Sequence, residues 1–318
     1  MLNFTFPILS TLLFFILVGN ANAEVKAFIS NQLDNSVSVI DTANQKVIAT
    51  VKVPGKPAGV AVNRALSQVY ISTPEAGGFV VLDAKQFTTI KSVKVGGGSL
   101  GIAVDRPGAQ VFVADWYENN VSVFDTQNFK NIATIAVGKS PSGMIVSPDN
   151  RYLYVANRMD DSVSQVDLKK YSIRNTTKVG AHPFGLTLDS QGLRLYTANV
   201  ESDDVTVLDA HNLKRIATVK VGARPYALSL ALNNRLLFVT NQDDSTVSVV
   251  DTQSLKQVAV LTVGDKPEGI STHVDDQHVY VANWFDNNVS VIDANTLKVV
   301  NTIRTGEGSR AFGDFISP

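Results

Sequence analysis

Residues 237–264 read LFVTNQDDSTVSVVDTQSLKQVAVLTVG, and residues 279–306 read VYVANWFDNNVSVIDANTLKVVNTIRTG. The two stretches align without a gap at a distance of 42 residues, and both contain the run Val-Ser-Val-x-Asp. This aspartate recurs seven times at the 42-residue interval, at Asp41, Asp83, Asp125, Asp167, Asp209, Asp251 and Asp293. A fixed interval of this length indicates one supersecondary unit repeated along the chain. The sequence therefore predicts seven structural copies.

Each copy contains four short apolar runs separated by turn residues. One example comprises Gly143–Val146, Leu153–Ala156, Val163–Val166 and the stretch from Ile173 to Val179. Runs of β-branched and aromatic residues between Asp- and Pro-containing turns are typical of antiparallel strands. No window shows a helical stripe of useful length. We therefore predict an all-β fold with four antiparallel strands per copy, as in a propeller blade, whose sheet packs on its neighbours through both faces.

The first copy lacks its innermost strand. Residues 27–53 supply three apolar runs with no Gly-x-Ala-Val run before them, and the segment AFGDFIS at 311–317 supplies the missing run. We therefore predict a seven-bladed β-propeller closed by the C-terminal strand, which completes the N-terminal blade. Closure of this kind removes the exposed edges that an open stack of sheets would have.

Residues 1–23 lie outside the repeat and have the pattern of a secretory signal peptide. The apolar run Phe6–Val18 is followed by the small-x-small sequence Ala21-Asn22-Ala23 before Glu24. No Lys or Arg precedes the run, and an uncleaved anchor is the alternative, although the run is short for a spanning helix. We predict a signal peptide at 1–23, a single propeller domain at 24–318, no membrane span after cleavage, and a periplasmic or secreted location.

Composition excludes several classes of function. The chain has no cysteine, which excludes disulfides, thiolate metal sites and cysteine-linked haem. The formal net charge of −1 argues against a nucleic-acid-binding protein, because such a protein needs a basic face. We expect a monomer unless the protein is in a complex.

The repeated motif resembles the YVTN-type β-propeller repeat. The resemblance is carried by Tyr154-Val155-Ala156-Asn157, by Asp161-Ser162-Val163-Ser164 and by Val179-Gly180-x-x-Pro183-x-Gly185, and it extends over the whole chain after residue 23. It implies a seven-bladed propeller of exported bacterial or archaeal surface proteins, related to amine-dehydrogenase propeller subunits and, more distantly, to haem-d1-binding propellers. It implies no single activity, because propellers carry many unrelated functions.

Residues present in every copy are interpreted as framework. The seven aspartates follow the third strand, where a short carboxylate accepts backbone N–H groups in an Asx-turn. Five asparagines after the second strand are interpreted as turn residues in the same way: Asn31, Asn157, Asn199, Asn241 and Asn283. The Val-Gly-x-x-Pro-x-Gly segment is predicted to link the outer strand of one blade to the inner strand of the next.

A functional site is therefore sought where the copies differ. The links between blades and the loops between second and third strands are predicted to emerge on one face. Two of these loops carry the aromatic pairs Trp116-Tyr117 and Trp284-Phe285, and another carries Arg158. Exposed aromatics favour a contact surface for a partner or a flat ligand. The alternative is that each ring folds over its own or a neighbouring blade and anchors its loop.

Closer to the predicted axis, the links carry several cationic and aromatic side chains. They are Lys56, His182, Arg224 and Lys266 at one repeat position and Tyr226 and Arg310 two residues further on. With acidic outer loops around them, these residues could attract a small anion or a carboxylate-bearing cofactor. The alternative is that cations and carboxylates of adjacent loops pair with one another, which contributes little.

No catalytic group is recognisable. His182 lies at the predicted channel mouth, where the haem-d1 resemblance would make it an iron ligand; the alternative, which the sequence favours, is a solvent-exposed loop residue. His211, His273 and His278 lie in turns on the opposite face. No His/Asp/Glu grouping has the spacing of a metal site, and a Gly-x-Ser-x-Gly motif is absent. We assign no catalytic residue, no metal and no specific cofactor.

The sequence thus favours an exported, non-catalytic propeller scaffold over an enzyme. It would bind a protein partner, a small anionic ligand or a cofactor on the face that carries Trp116, Trp284 and Arg310. The alternative is a periplasmic subunit, or an accessory or maturation protein, of a quinone- or haem-dependent oxidoreductase. A lactonase-like propeller is a third interpretation, but it would need axial carboxylates around a metal, which the sequence does not provide.

Overall fold

The computed structural model describes residues 1–2 and 24–317, and the predicted signal peptide lies, beyond its first two residues, outside the described residues. Residues 24–317 form seven antiparallel β-sheets whose innermost strands contact one another in order around an axis. The predicted seven-bladed propeller with four-stranded blades is confirmed. Within the described ranges, no helix is long and apolar enough to cross a membrane.

Blade 1 takes its outer three strands from the N-terminal copy and its innermost strand from the C-terminal segment. Blades 2 to 7 each take four consecutive strands from inner to outer. Blades 1 to 4 contain β1 (Lys26–Asn31), β2 (Ser36–Asp41) and β3 (Lys46–Lys52); β4 (Val60–Asn63), β5 (Gln68–Thr73), β6 (Gly78–Asp83) and β7 (Thr89–Lys94); β8 (Ser99–Val104), β9 (Gln110–Asp115), β10 (Asn120–Asp125) and β11 (Asn131–Ala136); β12 (Pro141–Val146), β13 (Tyr152–Asn157), β14 (Ser162–Asp167) and β15 (Ser172–Lys178). Blades 5 to 7 contain β16 (Pro183–Leu188), β17 (Arg194–Asn199), β18 (Asp204–Asp209) and β19 (Arg215–Lys220); β20 (Pro225–Ala231), β21 (Leu236–Asn241), β22 (Thr246–Asp251) and β23 (Lys256–Thr262); β24 (Pro267–Thr272), β25 (His278–Asn283), β26 (Asn288–Asp293) and β27 (Lys298–Arg304). The C-terminal segment adds β28 (Gly313–Asp314) and β29 (Ile316–Ser317), and two 3₁₀ turns span Pro74–Ala76 and Arg158–Asp160.

The two middle strands of each blade are buried because blades pack face to face. Their side chains are hidden on both faces, whereas outer strands such as β3 alternate between exposed and half-buried positions. One second-strand position carries a fully buried aromatic ring in every blade: Phe28, Tyr70, Phe112, Tyr154, Tyr196, Phe238 and Tyr280. The core is therefore distributed between the blades around the ring.

The C-terminal strand closes the ring as the sequence predicts. Strand β29 pairs antiparallel with β1, and the main-chain N–H groups of Phe28 and Arg310 donate to the carbonyl groups of Phe315 and Ser30 at 2.9 and 2.8 Å. The sequence did not predict that β28 would also pair, in parallel, with β4 of blade 2. The closing segment therefore hydrogen-bonds to two blades.

Neighbouring blades approach so closely at the axis that glycine occupies one inner-strand position in five of the seven copies, with Ala227 and Ala311 in the other two. A Cβ atom on Gly101 would overlap the carbonyl oxygen of Ser142 in the next blade, and a Cβ on Gly143 would overlap that of Phe184. The second glycine of the link motif thus allows the backbones of adjacent blades to pack closely.

The seven aspartates form Asx-turns at the ends of the third strands, as predicted. In each turn, Oδ1 accepts one or more backbone N–H groups from two or three residues further on. The five repeat asparagines differ from the expectation of simple turn residues. They are fully buried, and their Nδ2 atoms donate to side chains five and seven residues on, which fastens the second strand to the third.

Candidate functional site

The links between blades and the loops between second and third strands form one surface, called the link face below. The main-chain N–H of Trp116 donates to the carbonyl of Gly98 at 2.9 Å, and the N–H of Trp284 donates to that of Lys266 at 2.9 Å. Each loop is therefore tied to the link that precedes its own blade. The seven aspartate turns lie on the opposite surface, called the turn face.

A pocket of about 540 Å³ opens on the link face. Six of the residues predicted for a site line it: Trp116, Tyr117, Arg158, Arg224, Tyr226 and Arg310. The structure adds others, among them Glu75, Leu100 and Phe184. The volume lies within the range of roughly 300–1,000 Å³ that is usual for small-molecule sites.

Three aromatic rings separate this pocket from a second cavity along the axis. Phe184 and Tyr226 stack with their ring centroids 3.9 Å apart, and Phe312 meets Phe184 edge-on at 5.2 Å. Phe184 and Tyr226 line the pocket, whereas Phe312 lines the second cavity of about 610 Å³, which extends towards the turn face. The pocket therefore has an aromatic floor.

Arg310 is held by groups inside the protein. Its Nε lies 2.7 Å from Oε2 of Glu268, and its Nη2 donates to the hydroxyl of Tyr226 at 2.6 Å. Gln242 donates to the other carboxylate oxygen of Glu268 at 2.9 Å. Burial raises the pKa of Tyr226, so its hydroxyl keeps its proton. No acceptor for that proton is found among residues 24–317, so Tyr226 can donate a hydrogen bond into the pocket.

Three of the cations predicted near the axis lie beside carboxylates of the outer loops. Arg224 lies 2.8 Å from Glu201 and 3.7 Å from Asp243, and Lys266 lies 2.5 Å from Asp243. Nδ1 of His182 lies 3.8 Å from Oε1 of Glu201. Arg224 and Lys266 are therefore paired with carboxylates of adjacent loops, the alternative considered for these cations. His182 and Lys266 lie outside the pocket.

Arg158 differs from these cations. No carboxylate pairs with its guanidinium in the described part of the chain, and no described side-chain or main-chain acceptor binds it. It lies over the ring of Trp116 at 5.9 Å and is half-buried. Burial lowers the pKa of Arg158, which marks a charge that is only partly hydrated. Among the three arginines that line the pocket, Arg158 is therefore the one without an ion-pair partner in the described part of the chain.

The other predicted residues of the link face lie outside the pocket. Nε1 of Trp284 donates to Oε1 of Gln32 in blade 1 at 3.2 Å, and its ring meets Phe285 edge-on at 4.7 Å. Trp284 therefore anchors its loop to the next blade, the alternative considered for both tryptophans. Lys56 is half-buried with no carboxylate partner among residues 24–317.

Comparison with known proteins agrees with this architecture. A family model described as YNCE-like beta-propeller matches residues 151–313, which extend from the second strand of blade 4 through the end of blade 7. The chain belongs to the YNCE-like β-propeller family. The YVTN-type label of the repeat remains a prediction. No curated protein matches the sequence significantly.

Solved structures similar to this YNCE-like propeller share its fold at low identity. A hydrazine synthase of Kuenenia stuttgartiensis is 22% identical with a TM-score of 0.76, covering 84% of this chain and 91% of that chain. A functionally unknown protein of Desulfotomaculum acetoxidans is 13% identical with a TM-score of 0.77, covering 91% and 99%. The dihydro-heme d1 dehydrogenase NirN in complex with DHE is 14% identical with a TM-score of 0.70, covering 89% and 74%.

The pocket of this YNCE-like propeller suits a planar, carboxylate-bearing group better than an iron-ligated haem. Arg158 offers a cation and Trp116, Tyr226 and Phe184 offer flat apolar surfaces. No histidine, cysteine or methionine is among the lining residues, so the usual nitrogen and sulfur ligands of haem iron are not supplied by the described lining.

The turn face contains a cluster that sequence reasoning missed. His273, Asp275 and His278 bring one ligand atom each to within 4.8 Å of one another. The expectation that no such ligands converge is wrong for these three residues. The spacing His-x-Asp-x-x-His across the turn between β24 and β25 was the available signal, because a tight turn returns its first and last residues to each other.

Proposed function

We propose that this protein is an exported, non-catalytic binding propeller that takes a small planar anion in the link-face pocket. The observation that carries the proposal is the unpaired guanidinium of Arg158 over the ring of Trp116. A half-buried cation without a partner gains more from a bound carboxylate than an exposed cation would, because less water competes for it.

The floor and walls of the pocket support a flat ligand. Phe184 and Tyr226 form a stacked pair fixed on inner strands, and Trp116 lies on the adjacent loop. Stiff strands hold these rings, so little side-chain freedom is lost on binding. The Tyr226 hydroxyl, itself held by Arg310, adds a hydrogen-bond donor.

Fluorescence of Trp116 tests the proposal. Trp116 and Trp284 are the only two tryptophans in the chain, so Trp284→Phe leaves Trp116 as the sole reporter. Naphthalene-2-carboxylate and its uncharged methyl ester serve as probes. We expect saturable quenching by the acid, with an affinity at least about tenfold above that of the ester, because a hydrogen bond to a charged group contributes about 1.5–3 kcal/mol.

Two variants with the same loss of charge provide the control. Arg158→Gln should weaken binding of the acid about tenfold or more and leave binding of the ester unchanged. Lys56→Gln removes a cation on the same face but outside the pocket, and it should leave both affinities unchanged. Equal binding of acid and ester, or the same loss in both variants, would contradict the proposal. Thermal unfolding of each variant checks that the fold is intact.

A second candidate function is a periplasmic subunit or accessory protein of a quinone- or haem-dependent oxidoreductase. Two similar structures are a hydrazine synthase and a dihydro-heme d1 dehydrogenase, which favours this alternative through fold likeness. Tyr117 and Phe285, exposed by 71% and 55%, would then contact a partner chain. Purification from the periplasm of the native host tests it. A stoichiometric chromophore or co-purifying chain supports this function, and a colourless, single-chain protein contradicts it.

The N-terminus of the mature chain tests whether the protein is exported and its signal peptide cleaved. The chain isolated from that periplasm should begin at Glu24, where the predicted signal peptide ends. A chain that retains residues 1–23 and stays with the membrane would contradict cleavage.

A further inference from the structure

The turn between β24 and β25 gathers two of the four histidines of the chain beside an aspartate. Nδ1 of His278 lies 2.6 Å from Oδ2 of Asp275, and Nδ1 of His273 lies 3.0 Å from the same oxygen. The corresponding turns of blades 2 to 6 contain no histidine. This turn is therefore a departure of blade 7 from the repeat, on the face opposite the pocket.

The hydrogen bonds around His273 decide which of its ring nitrogens is free. Its Nε2 lies 3.1 Å from Oγ1 of Thr42, and that hydroxyl donates its single proton to the carbonyl of Val25 at 2.9 Å. With the hydroxyl donating to Val25, the contact with Thr42 places a proton on Nε2 of His273. In the neutral ring, Nδ1 then carries the single lone pair. The main-chain N–H of Asp275 lies 3.3 Å from it, a long contact that a metal bound at Nδ1 would replace.

Two electron-pair acceptors therefore face each other across 3.0 Å: Nδ1 of His273 and Oδ2 of Asp275. Such a contact is repulsive unless a positive charge lies between the two atoms. The other oxygen of Asp275 already accepts the N–H groups of Gln277 and His278 at 2.8 and 3.0 Å. These bonds fix the carboxylate so that Oδ2 points towards both histidine rings.

We propose that His273, Asp275 and His278 bind one divalent transition-metal ion, for which Zn²⁺ is the best fit. Two imidazole nitrogens and one carboxylate oxygen are a ligand set that Zn²⁺ accepts, with a fourth position left for water. Nδ1 of His278, which now donates to Asp275, releases its proton when it binds the metal. The Nε2–H of His273 donating to Thr42 is the outer hydrogen bond that orients a metal-binding imidazole.

This site would also stabilise the closure of the ring. Thr42 belongs to the turn after β2 of blade 1, whereas the three ligands belong to blade 7. A metal bound to His273 therefore rigidifies a contact across the seam between the first and last blades. Because the folded turn holds the three ligands in place, the metal binds the folded chain more tightly than the unfolded chain and raises the unfolding temperature.

Calorimetric titration of the untagged, chelator-treated protein with Zn²⁺ tests the proposal. We expect one Zn²⁺ per chain with micromolar or tighter affinity, and no comparable binding of Mg²⁺, which prefers oxygen ligands. His278→Asn and Asp275→Asn should each weaken Zn²⁺ binding at least about 100-fold, and Thr42→Val should weaken it about 10- to 100-fold by removing the orienting hydrogen bond. His211→Asn, in a turn of blade 5 on the same face, is the matched control and should bind like the parent.

Circular dichroism of the metal-free variants shows whether each one folds, so a loss of binding can be assigned to the ligands. Unchanged Zn²⁺ affinity in His278→Asn, or no binding at millimolar Zn²⁺, would overturn the proposal. So would nuclear magnetic resonance showing both ring nitrogens of His273 protonated at neutral pH with no response to Zn²⁺. In that case a proton, and not a metal, occupies the gap to Asp275.

Discussion

Glu268 and Arg310 form an ion pair across the seam of the ring, with 2.7 Å between Oε2 of the carboxylate and Nε of the guanidinium. The two residues occupy the same repeat position, one at the inner edge of blade 7 and the other in the closing segment. Their side chains are only 12% and 18% exposed, so each charge depends on the other.

Removing one partner of this pair should destabilise the protein strongly. Glu268→Ala leaves the guanidinium of Arg310 buried without its carboxylate, and we expect a loss of about 3–5 kcal/mol in the free energy of unfolding. The double variant Glu268→Leu/Arg310→Met should recover most of this loss because it buries no charge. Urea denaturation measures both. A double variant no more stable than the single one would contradict the argument.

The closing strand should contribute mainly through buried side chains. Phe315 is fully buried beside β1, and we expect Phe315→Ala to cost about 3–5 kcal/mol, as for other buried aromatics. The adjacent Asp314 forms an exposed ion pair with Arg64, and Asp314→Ala should cost less than about 1 kcal/mol. Thermal unfolding compares the two. Similar melting temperatures for both variants would show that the strand is not needed for closure.

Backbone packing at the axis predicts a large loss of stability for one glycine-to-alanine substitution and almost none for another in the same link motif. A methyl group on Gly101 meets the carbonyl of Ser142, and we expect Gly101→Ala to cost about 1–3 kcal/mol or more. A methyl group on Gly97 meets nothing within 4 Å, so Gly97→Ala should change stability by less than about 0.5 kcal/mol. Chemical denaturation of both variants checks this, and equal losses would contradict the close approach of the blades.

Alkaline pH should destabilise the ring through its buried tyrosines. Burial raises the pKa values of Tyr70, Tyr154 and Tyr280 from 10.0 to about 12. Because the folded-state pKa exceeds the unfolded-state value, their contribution is complete below about pH 10 and is lost as the pH rises towards 12. Tyr154→Phe keeps the ring and removes one titrating group. Its unfolding free energy should therefore fall less steeply with pH than that of the parent, and an equal slope would contradict this assignment.

Much of the fold could be predicted because each copy repeats the same local chemistry. Asp125 and its six counterparts indicated turns, and Asx hydrogen bonding is a property of two or three adjacent residues. The missing inner strand of blade 1 could be found by comparing copies. The parallel pairing of Gly313 with Val60 could not be predicted in this way, because no other copy contains such a pairing. It depends on where the closing segment crosses the seam.

The sequence predicted where the pocket residues lie, but not which of their charges are paired. The repeat placed Arg158 and Arg224 on one face, yet only their surroundings distinguish them. Glu201, in the loop of the neighbouring blade 5, pairs with Arg224, whereas no carboxylate among the described residues pairs with Arg158. Such pairing depends on side-chain reach between blades, which sequence spacing does not encode. The same reason separates Trp116, which lines the pocket, from Trp284, which binds Gln32.

The pairing of β1 with β29 joins strands that the ribosome produces before and after the other six blades. Lys26 faces Ser317, so the inner edge of the first blade has no strand to pair with until the other six blades have been made. Six blades can assemble from local contacts during that time, whereas the seam must wait. A chaperone that shields this unpaired edge would act on β1, although the event that releases it is the synthesis of β29.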